Sequence, residues 1–172
     1  MPSLRFAPDR IFDSISEITP KMLASLNIKG LILDIDNTMA PRNIALPDAL
    51  LIRWISVLKE ADVRLYIISN NWSARVKLFS QALGVPFIPT GMKPFPFSFL
   101  KAVSRMELPK DQIAAVGDQI YTDIVGAHLA GIEAWLVMPI DRDESLSIRF
   151  RRHLERPVIE GYRRNRSREA SR

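Results

Sequence analysis

Leu31-Ile32-Leu33-Asp34-Ile35-Asp36-Asn37-Thr38 joins an uninterrupted apolar run to two carboxylates, an amide and a hydroxyl. Continuous rather than alternating apolar character is what a strand covered on both faces of a parallel sheet requires. Polar groups at the C-terminal end of such a strand lie where open α/β sheets place their ligand crevice. Asp34 and Asp36 are two apart on an extended segment, so their side chains leave it on the same side.

Outward from this stretch the same punctuation recurs. Val63-Arg64-Leu65-Tyr66-Ile67-Ile68 runs into Ser69-Asn70-Asn71, and the short Val85-Pro86-Phe87-Ile88 precedes Lys93-Pro94. Ile113-Ala114-Ala115-Val116 runs into Gly117-Asp118-Gln119-Ile120-Tyr121-Thr122-Asp123, and Ala134-Trp135-Leu136-Val137-Met138 supplies a fifth apolar run. Helical patterns separate them. Pro47 suits a first helical position, with Leu50, Trp54, Leu58 and Ala61 on one stripe. Ser73 caps a second helix with Val76, Phe79 and Leu83 inward and Gly84 at its end. Phe99, Leu100 and Val103 mark a third, Ile124 to Ala130 with Gly131 a fourth, and a further helix is expected over 143–160. This order predicts an α/β fold, a single doubly wound, three-layer parallel sheet over residues 1–160, with a basic, disordered tail over 161–172.

Composition narrows the chemistry. The 172 residues include no Cys, which excludes a disulfide scaffold, a thiolate zinc site and a cysteine nucleophile together. Two histidines, His128 and His153, argue against a His-rich metal site or a Ser-His-Asp triad. Neither GxGxxG nor GxxxxGK[ST] occurs, so dinucleotide and P-loop chemistry are not signalled. No stretch reaches the ~18 apolar residues of a membrane span, and the first residues lack the apolar core of a secretory signal. A cytoplasmic protein is the expectation. The formal net charge of +5 is uneven, because residues 142–172 hold ten arginines, no lysine and five acids while the rest is neutral. Such a segment suits an anionic membrane surface, nucleic acid or an acidic partner, or it only completes the fold.

Carboxylates converging on one sheet edge repel unless a cation sits among them, and oxygen donors without His or Cys favour Mg²⁺ over zinc. A lysine and a hydroxyl nearby supply the positive charge and hydrogen-bond donor that a phosphoryl group needs. Each signal is weak alone; in this order, each after an expected strand, they form a specific constellation.

These motifs resemble those of the haloacid-dehalogenase-like (HAD) phosphohydrolases. Residues 31–38 look like their first motif, Ile67-Ile68-Ser69-Asn70 their second, Lys93 their third, and Gly117-Asp118 to Asp123 their fourth. The likeness is closer to the YqeG-type, subfamily IIIA branch, through Asp-x-Asp-Asn-Thr, Ser-Asn-Asn with Arg75-Val76, Lys-Pro and Gly-Asp-Gln-x-x-Thr-Asp, and it extends from about Ile11 to Pro157. The resemblance implies a HAD-like Rossmannoid fold in which Asp34 is the nucleophile and Asp36 the general acid and base. It also implies Mg²⁺ held by Asp34, the Asp36 carbonyl, Asp118 and Asp123, and a phosphoryl group gripped by Ser69, Asn70 and Lys93. Arg75 is a candidate substrate contact or an ordinary helix-face residue.

Only 30 residues separate Thr38 from Ser69 and 23 separate Ser69 from Lys93, which leaves no room for an inserted cap domain. A capless site is open and suits a phosphate on a large or membrane-bound molecule. Members resembling this branch include phosphatidylglycerophosphate phosphatases. The leading expectation is therefore a Mg²⁺-dependent phosphatase of phosphatidylglycerophosphate or a similar anionic lipid, peripheral to the membrane. The alternatives are a phosphatase of a soluble sugar phosphate, nucleotide or polymer end, and a non-catalytic binding module using the Arg-rich tail. Nucleic acid is the disfavoured partner, and the oligomeric state stays open. Phe99 is expected in the core, Phe95 and Phe97 in the core or at a membrane, and His128 on a helix surface. Asn37 and Thr38 are expected to order their loop, and Gln119 and Thr122 to shape the fourth-motif turn.

Overall fold

The computed structural model describes residues 5–71, 74–88, 91–141 and 155–162. Six strands, β1 (Arg10–Phe12), β2 (Gly30–Leu33), β3 (Arg64–Ile68), β4 (Phe87–Ile88), β5 (Ile113–Gly117) and β6 (Glu133–Val137), make one parallel sheet in the order β1-β6-β5-β2-β3-β4. The chain winds from β2 outward through β3 and β4, then returns to β5 on the other side of β2 and continues to β6. The reversal falls between β2 and β5, the switch point at which such sheets open a crevice beyond their strand ends. Leu31 lies in register with Leu65 on one side and Ala114 on the other.

Both faces of the sheet are covered, as the continuous apolar runs require. Leu31 and Leu33 enter one core with Leu65, Ile67, Val116 and Trp135. Helices α1 (Pro20–Ser25), α2 (Ala49–Glu60) and α3 (Ala74–Leu83) close that core through Leu23, Ile55, Leu58, Val76 and Phe79. Ile32, Ile68, Ala115 and Leu136 enter the opposite core beneath α4 (Phe97–Met106) and α5 (Val125–Ala130). Phe99 is buried there, as expected. Gly131, at φ 76°, ends α5 in the left-handed conformation that favours glycine.

Several local expectations shift. The carboxylate of Asp48, not Pro47, starts α2, accepting from the Leu51 N–H at 2.7 Å. The inward stripe is Leu51, Ile55 and Leu58, and Leu50 is 78% exposed. Adjacent helical positions differ by about 100°, so choosing Leu50 rather than Leu51 turns a side chain from core to solvent. Trp54 is half-buried and its indole donates to the Ile18 carbonyl at 2.9 Å. Strand β1 carries no readable pattern because it has only three residues. The expected cap Ser73, and 143–154 of the expected last helix, lie outside the described residues, as do 163–172 of the tail. Residues 155–162 are helical, and Val158 and Ile159 pack on the α4–α5 core. No helix among the described residues is long and apolar enough to cross a membrane.

His128 corrects the sequence expectation of a helix-surface residue. It is buried on α5, with Nε2 2.9 Å from the Asp9 carboxylate and Nδ1 2.9 Å from the Arg5 carbonyl. The same Asp9 oxygen accepts from the Ala134 N–H at 2.9 Å, so the pair pins the segment before β1 to α5 and β6. The partners lie 119 residues apart in sequence, where no local pattern registers them. Burial opposes a charged His128, but the hydrogen bond to Asp9, the bond to the Arg5 carbonyl and the Asp9 charge together outweigh it and raise the pKa. Burial likewise opposes a charged Asp9, and the bonds from His128 and Ala134 lower its pKa.

The raised His128 pKa adds stability that is full below about pH 6.5 and is lost as pH rises through the folded value. The lowered Asp9 pKa adds stability that is present above about pH 3.8 and is lost as pH falls through the folded value. Urea unfolding of His128→Leu should therefore show a deficit of roughly 1–3 kcal/mol near pH 6 that narrows by pH 9. A deficit independent of pH would remove the ion pair from the account.

Candidate active site

The crevice beyond β2 and β5 gathers the polar groups from four strand ends. Asp34 follows β2 directly, and its N–H donates to the Val116 carbonyl of β5 at 3.0 Å, which seats it over the switch point. Asn37 then adopts φ 63°, a left-handed conformation that Asn tolerates better than most residues. Its N–H reaches the Ala40 carbonyl at 2.8 Å and its side-chain amide the Asp141 carbonyl at 3.4 Å. This turn brings the Thr38 hydroxyl back to donate to Asp34 Oδ2 at 3.2 Å. Asn37 and Thr38 order the loop as expected, and Thr38 also orients the carboxylate of Asp34.

Lys93 arrives from the loop after β4 and is buried. Its ammonium donates to Asp34 Oδ1 and to Asp123 Oδ1, each at 2.5 Å. The main chain of Lys93 is fixed by Asn70, whose Oδ1 accepts from the Lys93 N–H at 2.7 Å and whose amide donates to the Lys93 carbonyl at 3.1 Å. Gly91 donates to the Ser69 carbonyl at 2.8 Å, and a Cβ there would stand 2.6 Å from Ile68 Cγ2, so only glycine permits this approach. Ser69 is buried, with its hydroxyl accepting from the Asn71 N–H at 3.1 Å.

After β5 the chain enters a π-helical turn over Ile120–Ile124. Asp123 Oδ2 accepts from the Gln119 N–H at 3.1 Å and from the Thr122 hydroxyl at 3.3 Å, while Oδ1 meets Lys93. Gly117 makes this fold-back possible, because a Cβ there would lie 2.3 Å from Asp123 Cγ. Asp36 stands apart from the cluster, with Oδ1 2.6 Å from Arg75. Arg75 also donates to the carbonyls of Ile44 at 2.6 Å and Pro41 at 3.1 Å, strapping the loop after the first motif to α3.

Asp34, Asp118 and Asp123 are all buried and offer carboxylate oxygens within 4.8 Å of one another. Burial raises the Asp34 pKa, Lys93 opposes this, and Asp123 and Asp118 add to the rise, so the carboxyl is pushed up to about 8. Burial would lower the Lys93 pKa, but Asp123 and Asp34 outweigh it and hold the ammonium charged. Three oxygen donors around one ammonium leave an excess of buried negative charge, the chemistry of a site for a hard divalent cation. The residues present therefore fit a metal.

The expected residues thus fall into two neighbouring groups. Asp34, Lys93, Asp118 and Asp123 form the centre, with Ser69 and Asn70 on the loop that fixes Lys93. Asp36 and Arg75 form an ion pair beside it. Thr38 was expected to order its loop but not to bond Asp34. Glu155 lies inside the stretch covered by the resemblance but was assigned no role from the sequence, and it accepts from the Ile120 N–H at 2.7 Å.

A parallel sheet with a lysine-clamped aspartate at its switch point and buried carboxylates opposite defines a phosphohydrolase of the HAD type. Residues 91–139 match the HAD-hydrolase-like family model. Among solved structures, the fold is similar to the cobalt-bound deoxy-D-mannose-octulosonate 8-phosphate phosphatase (YrbI) of Haemophilus influenzae, at TM-score 0.54 and 15% identity over 78% of this chain and 88% of that one. It is also similar to CbbY of Rhodobacter sphaeroides in complex with phosphate, at TM-score 0.50 and 15% identity over 70% and 91% of the two chains. The chain is 38% identical over 159 residues, 92% of each chain, to the Bacillus subtilis (strain 168) protein named "Probable phosphatase YqeG". It belongs to the YqeG family of HAD-like phosphatases.

Two outcomes follow from this geometry. Between about pH 4 and 8 folded Asp34 binds more protons than the unfolded chain, so metal-free stability falls as pH rises through that window. In chelator at pH 8, Asp34→Asn should melt several degrees above the parent, by thermal denaturation. Gly117→Ala should displace Asp123 and lower kcat on the order of 10²-fold in a phosphate-release assay.

Proposed function

We propose that the chain hydrolyses phosphomonoesters through an aspartyl-phosphate on Asp34, with phosphatidylglycerophosphate or a similar anionic lipid as substrate. The observation that carries the chemistry is the fixing of Asp34 through both oxygens, by Lys93 and by Thr38, at the switch point of the sheet. An Asp34 oxygen attacks phosphorus in line and the bond to the ester oxygen breaks. Asp36 gives that oxygen its proton, then takes one from the water that attacks the acyl phosphate. The P–O bond to Asp34 breaks, phosphate leaves, and Asp34 is regenerated. Lys93 and the Ser69 hydroxyl face the phosphoryl oxygens and compensate their charge. Asn70 serves that grip by holding the main chain of Lys93. Asp34, Asp118, Asp123 and the Asp36 carbonyl would hold Mg²⁺, which supplies Lewis-acid stabilisation of the phosphoryl charge. Arg75, bonded to Asp36, is the candidate contact for a second anionic group of the substrate.

The lipid reading is supported by what surrounds the site. A single helix, α2, separates the first two motif strands, so no domain is inserted between them. The loops carrying the site expose Ile44, Leu46, Met92, Phe95 and Ile140, and Phe97, at the start of α4, is 71% exposed. Ile44 is bonded through its carbonyl to Arg75, and Ile140 through its N–H to the Asn37 carbonyl, which sets them beside the first motif. Such apolar side chains around a polar crevice mark an interaction surface. The ten arginines of 142–172 would each add on the order of 1 kcal/mol near anionic lipid, which supports a position at the cytoplasmic face of a membrane.

Phosphate release measured on phosphatidylglycerophosphate vesicles beside soluble sugar phosphates and nucleotides tests both levels. The expected result is preference for vesicles, activity abolished by chelator and restored by Mg²⁺, and a loss in Asp34→Asn on the order of 10⁴-fold or more in kcat. Preference for soluble esters would defeat the lipid substrate, and full activity of Asp34→Asn would sink the mechanism.

A further inference from the structure

The π-helical turn Ile120–Ile124 and α5 form one helical run from 120 to 130, and its first N–H groups have no partner one turn earlier. No side chain of the preceding Gln119 caps it. Two carboxylates do so instead. Asp123 takes the Gln119 N–H through Oδ2, and Glu155 takes the Ile120 N–H through Oε1 at 2.7 Å. Glu155 is 2% exposed and stands 35 positions further along the chain. Its own segment, 155–162, is docked by Val158 and Ile159 in the α4–α5 core and by the Tyr162 hydroxyl, which donates to the Asp9 carbonyl at 3.1 Å.

We propose that Glu155 is a positioning residue for the metal centre, resting on the assignment of Asp123 as a metal ligand. By satisfying the Ile120 N–H it fixes the start of the turn that carries Asp123. Asp123 Oδ2 then bonds within its own turn, to the Gln119 N–H and the Thr122 hydroxyl, while Oδ1 faces Lys93 and Asp34. Without Glu155, the buried Ile120 N–H competes for the carboxylate that already caps its neighbour, and Asp123 rotates away from the cluster. The C-terminal segment is by this account part of the catalytic unit, and its docking sets metal affinity.

The test is calorimetric Mg²⁺ binding to the full-length protein, with kcat and KM measured alongside. Glu155→Ala should weaken Mg²⁺ binding by roughly tenfold to a hundredfold, the range for residues that orient metal ligands. Its kcat should recover at high Mg²⁺ with an unchanged KM for the phosphoester, a pattern that general loss of structure does not give. Glu155→Gln keeps both reach and acceptor and should restore most of the affinity. Glu155→Asp keeps the charge but is one methylene short and should remain weakened. If Glu155→Ala fails to fold, the Gln and Asp variants carry the comparison alone. Parent affinity in a folded Glu155→Ala, or Asp binding Mg²⁺ better than Gln, would overturn the proposal. Asp123→Asn separates the two levels. Unchanged Mg²⁺ affinity there defeats the metal-site assignment itself, whereas weakened affinity there with none in the Glu155 variants defeats only the role of Glu155.

Discussion

At the switch point between β2 and β5, one ammonium is buried against two carboxylates, Lys93 with Asp34 and Asp123 at 2.5 Å each. Charges removed from water are costly unless they are paired and hydrogen-bonded, so every neighbouring element is arranged to keep these atoms in place. Asn70 holds the Lys93 main chain by two hydrogen bonds, Thr38 holds the free oxygen of Asp34, and Gln119 and Thr122 hold that of Asp123. Even the glycines answer to it. Gly117 and Gly91 lie where a Cβ would push Asp123 or the Lys93 loop out of reach.

The same constraint explains why the carboxylate excess is tolerated. Asp34 sits where burial and two like charges raise its pKa to about 8, which is poor for stability and useful for chemistry. A buried carboxyl perturbed this far at a strand end is the kind of cost that functional sites retain. Beside it the ion pair of Asp36 and Arg75, each side chain 15% exposed, ties the first-motif loop to α3, so Asp34 and Asp36 rest on different supports.

The local signals of the sequence carried far. Asp34, Ser69 and Asp118 stand directly after an apolar run, and Lys93 and Asp123 follow in the same loop or turn within six positions, so strands β2, β3 and β5 and these five candidates were readable. Helix faces were less so. In α2 a shift of one position separates buried Leu51 from exposed Leu50, and the capping carboxylate of Asp48 decides between them. Strand β1 was too short to show a period, and His128 met partners more than a hundred residues away.

Sequence alone determined the parallel α/β architecture and the oxygen-only set of candidate donors, because hydrophobic periodicity and residue chemistry act over a few neighbouring positions, and its motifs carried the resemblance that implied a phosphatase. Tertiary structure decided what those residues do to one another. It put Lys93 between Asp34 and Asp123, turned the Asn70 amide onto the Lys93 main chain, and set Arg75 on Asp36. It also brought Glu155 of the Arg-rich C-terminal region to the fourth-motif turn rather than leaving that region a separate basic extension at that point. These are contacts between groups remote in sequence, and only the packing of helices on a common sheet selects which of many possible partners each buried polar group meets.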